Sequence, residues 1–111
     1  MAKTIKKPKK KTDQELFDLL DTKIANAEYV FKKHARERQI DRTISDLEVL
    51  DILEGKLKRS RHRNKKKDKF EEGRADWNYC IEGQNLDKKK IRIIISFEKN
   101  MIPIITVMWI K

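Results

Sequence analysis

Two stretches near the C-terminal end constrain this chain most. Ile91, Ile93, Ile95 and Phe97 alternate with Arg92, Ile94 and Ser96, and from Met101 to Ile110 nearly every residue is apolar and many are β-branched. Period-two alternation puts one set of side chains on one face of a strand. A run apolar at both phases belongs in a central strand covered on both sides or nearly so. Pro103 must then sit near its start or at an irregularity, because proline donates nothing to the ladder. Trp77, Tyr79 and Ile81 against Asn78, Cys80 and Glu82 give a third strand, followed by a polar loop from Gly83 to Lys90. Glu98-Lys99-Asn100 is a tight connection. The expected sheet is an antiparallel meander of three strands, or four if the preceding basic stretch supplies an edge.

The N-terminal half changes period. Thr12-Asp13-Gln14-Glu15 has the spacing of a capping box, and Leu16, Leu19, Leu20, Ile24, Ala27, Val30 and Phe31 follow at helical spacing. They predict one amphipathic helix from Asp13 to about Arg38, with at most one break. Ser45-Asp46-Leu47-Glu48 is a second capping box, Ile44 and Val49 are placed as a hydrophobic staple, and Gly55 stands where a helix-ending glycine would. A short helix over Asp46 to Glu54 follows. The predicted class is α+β, with two N-terminal helices packed on a small antiparallel sheet. Residues 12–111 read as one domain and residues 1–11 as a disordered basic arm.

Among 111 residues, 28 Lys+Arg face 18 Asp+Glu, a net charge of +10. The surplus is local: residues 3–11 and 56–69 together carry +14, and the rest carries −4. Such blocks are often solvated segments, but concentrated Lys/Arg is also the footprint of a polyanion binder. Nucleic acid fits better than a membrane surface, because no aliphatic or aromatic anchor accompanies the lysines. No apolar run is long enough to span a bilayer, and the basic start lacks the apolar core of a secretory signal. Cys80 is the single cysteine, so the cytoplasm is the expected compartment. Two distant histidines, one cysteine and three glycines give no reason to expect a metal, a cofactor or a glycine-rich phosphate loop.

The junction between the helices reads His34-Ala35-Arg36-Glu37-Arg38-Gln39-Ile40-Asp41-Arg42-Thr43-Ile44-Ser45. It resembles the signature of a bacterial family of small domains of unknown function: His-Ala, Arg, then Arg-Gly-Ile-Ser, then an acidic, apolar helix ending near Gly. Thr43 stands where that pattern has glycine. The later strands, with Trp77, Tyr79 and Gly83, then Ile91 to Phe97, then Thr106 and Trp109, are similar too. The family's organisation resembles the RelE, MqsR and barnase-like group of compact ribonucleases, many of them toxins of toxin–antitoxin pairs. The resemblance implies an α+β fold, RNA cleavage, and as partners RNA, free or on the ribosome, and an antitoxin, which the basic charge would suit if it is acidic.

For metal-free phosphodiester cleavage the candidate catalytic residues are His34, Arg38, Arg42 and Arg92. Spacing of i, i+4, i+8 puts the first three on one helix face. The histidine would move a proton and the arginines would hold the phosphate. Alternatively His34 caps or packs, and the arginines pair with Glu37, Asp41, Asp46 or Glu48. Candidate RNA-binding residues are Lys58, Arg59, Arg61, His62, Arg63, Lys65, Lys66 and Lys67, with Trp77 and Tyr79 as stacking surfaces unless the core takes them. His62, flanked by cations, reads as part of a phosphate-binding loop. The rival to a ribonuclease is a non-catalytic nucleic-acid-binding or partner-binding domain of a mobile element.

Overall fold

In the computed structural model, which describes residues 7–55 and 60–111, the first half forms α1 (Asp13–Ala25), a short strand β1 (Tyr29–Phe31), α2 (Lys33–Arg42) and α3 (Asp46–Glu54). The second half holds β2 (His62–Arg63), a 3₁₀ turn at Lys65–Lys67, β3 (Tyr79–Gln84), β4 (Lys90–Ile95) and β5 (Ile102–Trp109). Both capping boxes are formed. Thr12 Oγ1 accepts from the Glu15 amide while Glu15 accepts from the Thr12 amide, and Ser45 and Glu48 repeat the exchange. Ile44 and Val49 are both buried beside the second box.

The helix expected from Asp13 to Arg38 with at most one break is broken once, and the break holds a strand. Asn26 caps α1, and Ala27 turns the chain at φ +57°. The next residues, Tyr29-Val30-Phe31, are aromatic and β-branched and take the extended form that suits them. Val30 points outward and Phe31 inward. β1 lies parallel to β5, with Val30 opposite Pro103. This corrects both the two-helix count and the all-antiparallel sheet: the described residues form three helices and a five-stranded mixed sheet, ordered β1-β5-β4-β3-β2. β5 is central, as its unbroken apolar run requires, and Pro103 is its second residue. The β4–β5 register shifts between Ile94 and Ile95.

Tyr79, Ile81, Ile91, Ile93, Ile95, Ile104 and Val107 line the inner face, where they form one core with Leu16 and Leu20 of α1, Ala35 of α2 and Ile52 and Leu53 of α3. The outer face is left to Asn78, Cys80 and Glu82 of the β3 stretch, Arg92 and Ile94 of β4, and Thr106 and Met108 of β5. Residues 7–11, expected as part of a free arm, pack against the end of the sheet. Trp77 Nε1 donates to the Pro8 carbonyl (2.8 Å), the Lys11 amide donates to Tyr79 Oη (3.0 Å), and Lys11 Nζ pairs with Asp76 (3.0 Å).

Gly55 ends α3 at φ +74°, and the Arg61 guanidinium lies 2.5 Å from where a β-carbon would stand. Left-handed backbone and a filled space both demand glycine there. Thr43 has the same left-handed geometry, φ +54° and ψ +53°, at the end of α2. The turn thus puts a β-branched residue in a conformation that glycine adopts freely. A β-branched residue is strained in that region. Thr43→Gly is therefore expected to stabilise the fold by up to about 1 kcal/mol, relief of strain exceeding the extra freedom of the unfolded chain; chemical denaturation checks it.

Candidate functional site

The β3–β4 hairpin pairs Gln84 with Lys90 and therefore Glu82 with Arg92, while β2 sets His62 against Glu82 from the other side. Three strands thus bring a histidine, a carboxylate and a guanidinium into one row on the outer face. His62 Nε2 lies 3.0 Å from Glu82 Oε1. Arg92 Nε donates to Glu82 Oε2 at 2.8 Å, and Asn64 Nδ2 donates to the same oxygen at 3.1 Å. The Glu82 carboxylate is buried, whereas the His62 side chain is 59% exposed. Burial pushes the Glu82 carboxyl up, but the hydrogen bonds from Arg92, Asn64 and His62 outweigh it and hold the group below its ordinary value of 4.5. His62 Nδ1 is 3.1 Å from the Ser60 carbonyl. Both ring nitrogens face acceptors. Cys80, beneath this row, is no nucleophile at neutral pH, since burial and the nearby Glu82 charge push its thiol up to about 12.

Lysines lie beside the Arg92 end of the row. Lys66, Lys67 and Lys69 border a shallow cavity of about 340 Å³ whose floor includes Arg92, Ile94 and Met108. Arg92 Nη1 lies 3.8 Å from Met108 Sδ. Lys65, Lys66 and Lys67 are exposed in the 3₁₀ turn. This face combines fixed positive charge, one exposed titratable ring and a buried anion that orients both His62 and Arg92. It can hold a phosphodiester and pass it a proton.

The remaining predicted residues lie elsewhere or serve the fold. His34 is exposed in the first turn of α2 and makes no hydrogen bond or ion pair among the described residues. Arg38 pairs with Asp41 (3.2 Å) in the same helix, one of the pairings weighed for it. Arg42 donates to the Val107 carbonyl (2.7 Å), and Trp109 Nε1 donates back to the Arg42 carbonyl (2.8 Å). The helical triad therefore does not converge with Arg92, because α2 ends as a splint against β5. Arg61 is turned inward, bonded to the Leu53 carbonyl and Asp21 and stacked 4.4 Å over Phe17. Arg63 is 1% exposed, held by Asp68, Asp13 and the Lys11 carbonyl. Lys58 and Arg59 lie outside the described residues. Tyr79 is fully buried, its hydroxyl donating to Asp76, and Trp77 lies under Lys10 (4.6 Å) and Pro8. Tyr79 therefore offers no face for a base to stack on, while Trp77 is half-buried.

Sequence reasoning missed Glu82, Asn64 and Lys69 as site residues. The signal for Glu82 was available: once the loop around Asn85 closes a hairpin, its partner on the outer face is Arg92. Glu82 contributes stability while ionised, so that contribution is present at neutral pH and lost as pH falls through its lowered pKa. Glu82→Gln is expected to cost about 1.5–3 kcal/mol at pH 7, in the range of hydrogen bonds to charged groups. The gap to wild type should close below pH 4.5, as followed by urea unfolding across pH.

Among the described residues, no helix is long and apolar enough to cross a membrane. No curated protein and no solved structure matches the chain. Residues 31–109 match a family described as a domain of unknown function, DUF4258, a span running from the end of β1 to the last residue of β5. The chain belongs to that family.

Proposed function

We propose that the outer face binds RNA and cleaves its backbone without a metal, as the ribonuclease toxins of the RelE, MqsR and barnase-like group do. The observation that carries this reading is the His62–Glu82–Arg92 row, whose Arg92 also lines a lysine-bordered cavity. Lys66, Lys67, Lys69 and the free side of the Arg92 guanidinium attract and hold the phosphate. The 2′-oxygen attacks the adjacent phosphorus and loses its proton to water at the open rim. The P–O5′ bond breaks, and His62 gives its proton to the departing 5′-oxygen. A 2′,3′-cyclic phosphate and a 5′-hydroxyl result, and His62 is reprotonated from solvent. Glu82, buried and saturated with donors, is a positioning residue that holds His62 and Arg92. An acidic antitoxin would bind by covering the lysine rim.

One observation favours the rival, a non-catalytic nucleic-acid-binding domain: Glu82 already engages both His62 and Arg92, so the row is a complete network before any ligand arrives.

The test is incubation with RNA in EDTA, followed by analysis of product ends. His62→Ala, shown to be folded, is expected to lower cleavage by about 10²–10⁴-fold, the contribution of a positioned proton donor, and His34→Ala to leave it unchanged. Cleavage that persists in His62→Ala and is lost in His34→Ala returns the role to α2. RNA binding without cleavage by the wild type selects the rival. Replacing Lys66, Lys67 and Lys69 together by alanine is expected to flatten the dependence of log K on log salt by about 2, as for three lost single-strand phosphate contacts.

A further inference from the structure

Asn78 precedes β3 on the outer face and lines the same cavity as Arg92 and the lysines. The residue is buried, 6% exposed. Asn78 Nδ2 donates to Glu71 Oε1 at 2.8 Å, which fixes the amide's orientation, because only the nitrogen can donate to a carboxylate. Asn78 Oδ1 is then left buried with no partner. Its backbone is held as well: the Asn78 and Lys69 amides each donate to the other's carbonyl, at 2.7 and 3.0 Å, while the bond to Glu71 restrains the side chain. An acceptor held in this way beside a cavity is costly for the fold unless something donates to it. Ile94 and Met108 supply apolar surface to the same cavity, and Lys66, Lys67 and Lys69 border it with side chains that can swing aside without repacking a core.

We infer that this end of the cavity is a nucleobase subsite, in which Asn78 Oδ1 accepts from an edge N–H of an RNA base whose face lies on Ile94 and Met108. Every RNA base has such a donor, so the subsite takes a base as such without selecting one. It distinguishes a nucleotide from a bare polyanion. The lysine rim alone cannot do so, since positive charge reads phosphate without regard to what the sugar bears. This inference rests on the RNA-binding reading above and adds to it the part of the nucleotide that lies beyond the phosphate.

The probe is a pair of fluorescent 12-nucleotide strands, one ordinary mixed-sequence RNA and one abasic ribose-phosphate strand of equal length and charge. Both are titrated in EDTA against wild type, Asn78→Leu and Ile94→Thr. Asn78→Leu removes the acceptor, and Ile94→Thr reduces the apolar floor while keeping a β-branched residue in the central region of β4. Either variant, whichever folds, is expected to weaken binding of the base-bearing strand by about tenfold, the loss of one good hydrogen bond or its apolar support, and to leave the abasic strand unchanged. Equal loss on both strands, or no loss on either, overturns the base subsite and leaves the backbone-binding reading standing. If wild type binds neither strand, the RNA reading falls, and the base subsite with it.

Discussion

The register of the β3–β4 hairpin is the constraint on which the rest of the molecule depends. Ile81, Ile91, Ile93 and Ile95 all face the core and are fully buried. A slip of one residue would turn an entire set to the other face, so the hydrophobic side locks the pairing. The outer face inherits that register without having to stabilise it. Glu82 is set opposite Arg92 because Ile81 is set opposite Ile93. The same lock reaches β2, where Arg63 pairs with Ile81 and His62 with Glu82. The polar row is thereby set in register by the aliphatic core behind it.

The cations divide by position. Arg61 and Arg63 alternate with His62 in the basic run, and alternation sends them inward, where guanidinium groups can satisfy several carbonyls and carboxylates at once. Arg63 does so between the end of the arm, the start of α1 and Asp68, tying together three segments far apart in the chain. Lys10 and Lys11 are drawn onto Asp68 and Asp76. Between β2 and β3 the lysines of the 3₁₀ turn and Lys69 face outward. Part of the basic charge that dominates the composition therefore ties segments of the fold together instead of facing a partner.

Much of the fold was legible in the residues. The capping boxes at Thr12 and Ser45, the end of α3 at Gly55 and the central place of β5 all rest on local rules that tertiary packing did not override. β1 was hidden because Val30 and Phe31 fit a helical stripe as well as a strand, and its parallel partner is more than 70 residues away. The candidate site was less legible. The eye goes to His34, Arg38 and Arg42 because helical spacing is periodic and visible, yet α2 spends Arg42 on the Val107 carbonyl. The row on the outer face joins positions 62, 82 and 92, which meet only through strand pairing. His62 was visible as a basic-loop residue, but its buried partner Glu82 could be seen only after the hairpin had been closed.

The brevity of the two outermost strands bears on how copies of this molecule meet one another. β1 has three residues and β2 two, while the strands between them are rich in isoleucine and would be strongly self-adhesive if a neighbouring chain could extend them. β2 runs at once into three consecutive lysines, and like charges on approaching copies repel. Short, charged borders of this kind oppose edge-to-edge strand addition. The basic run thus has an occupation independent of any nucleic acid: it keeps an aliphatic sheet from polymerising.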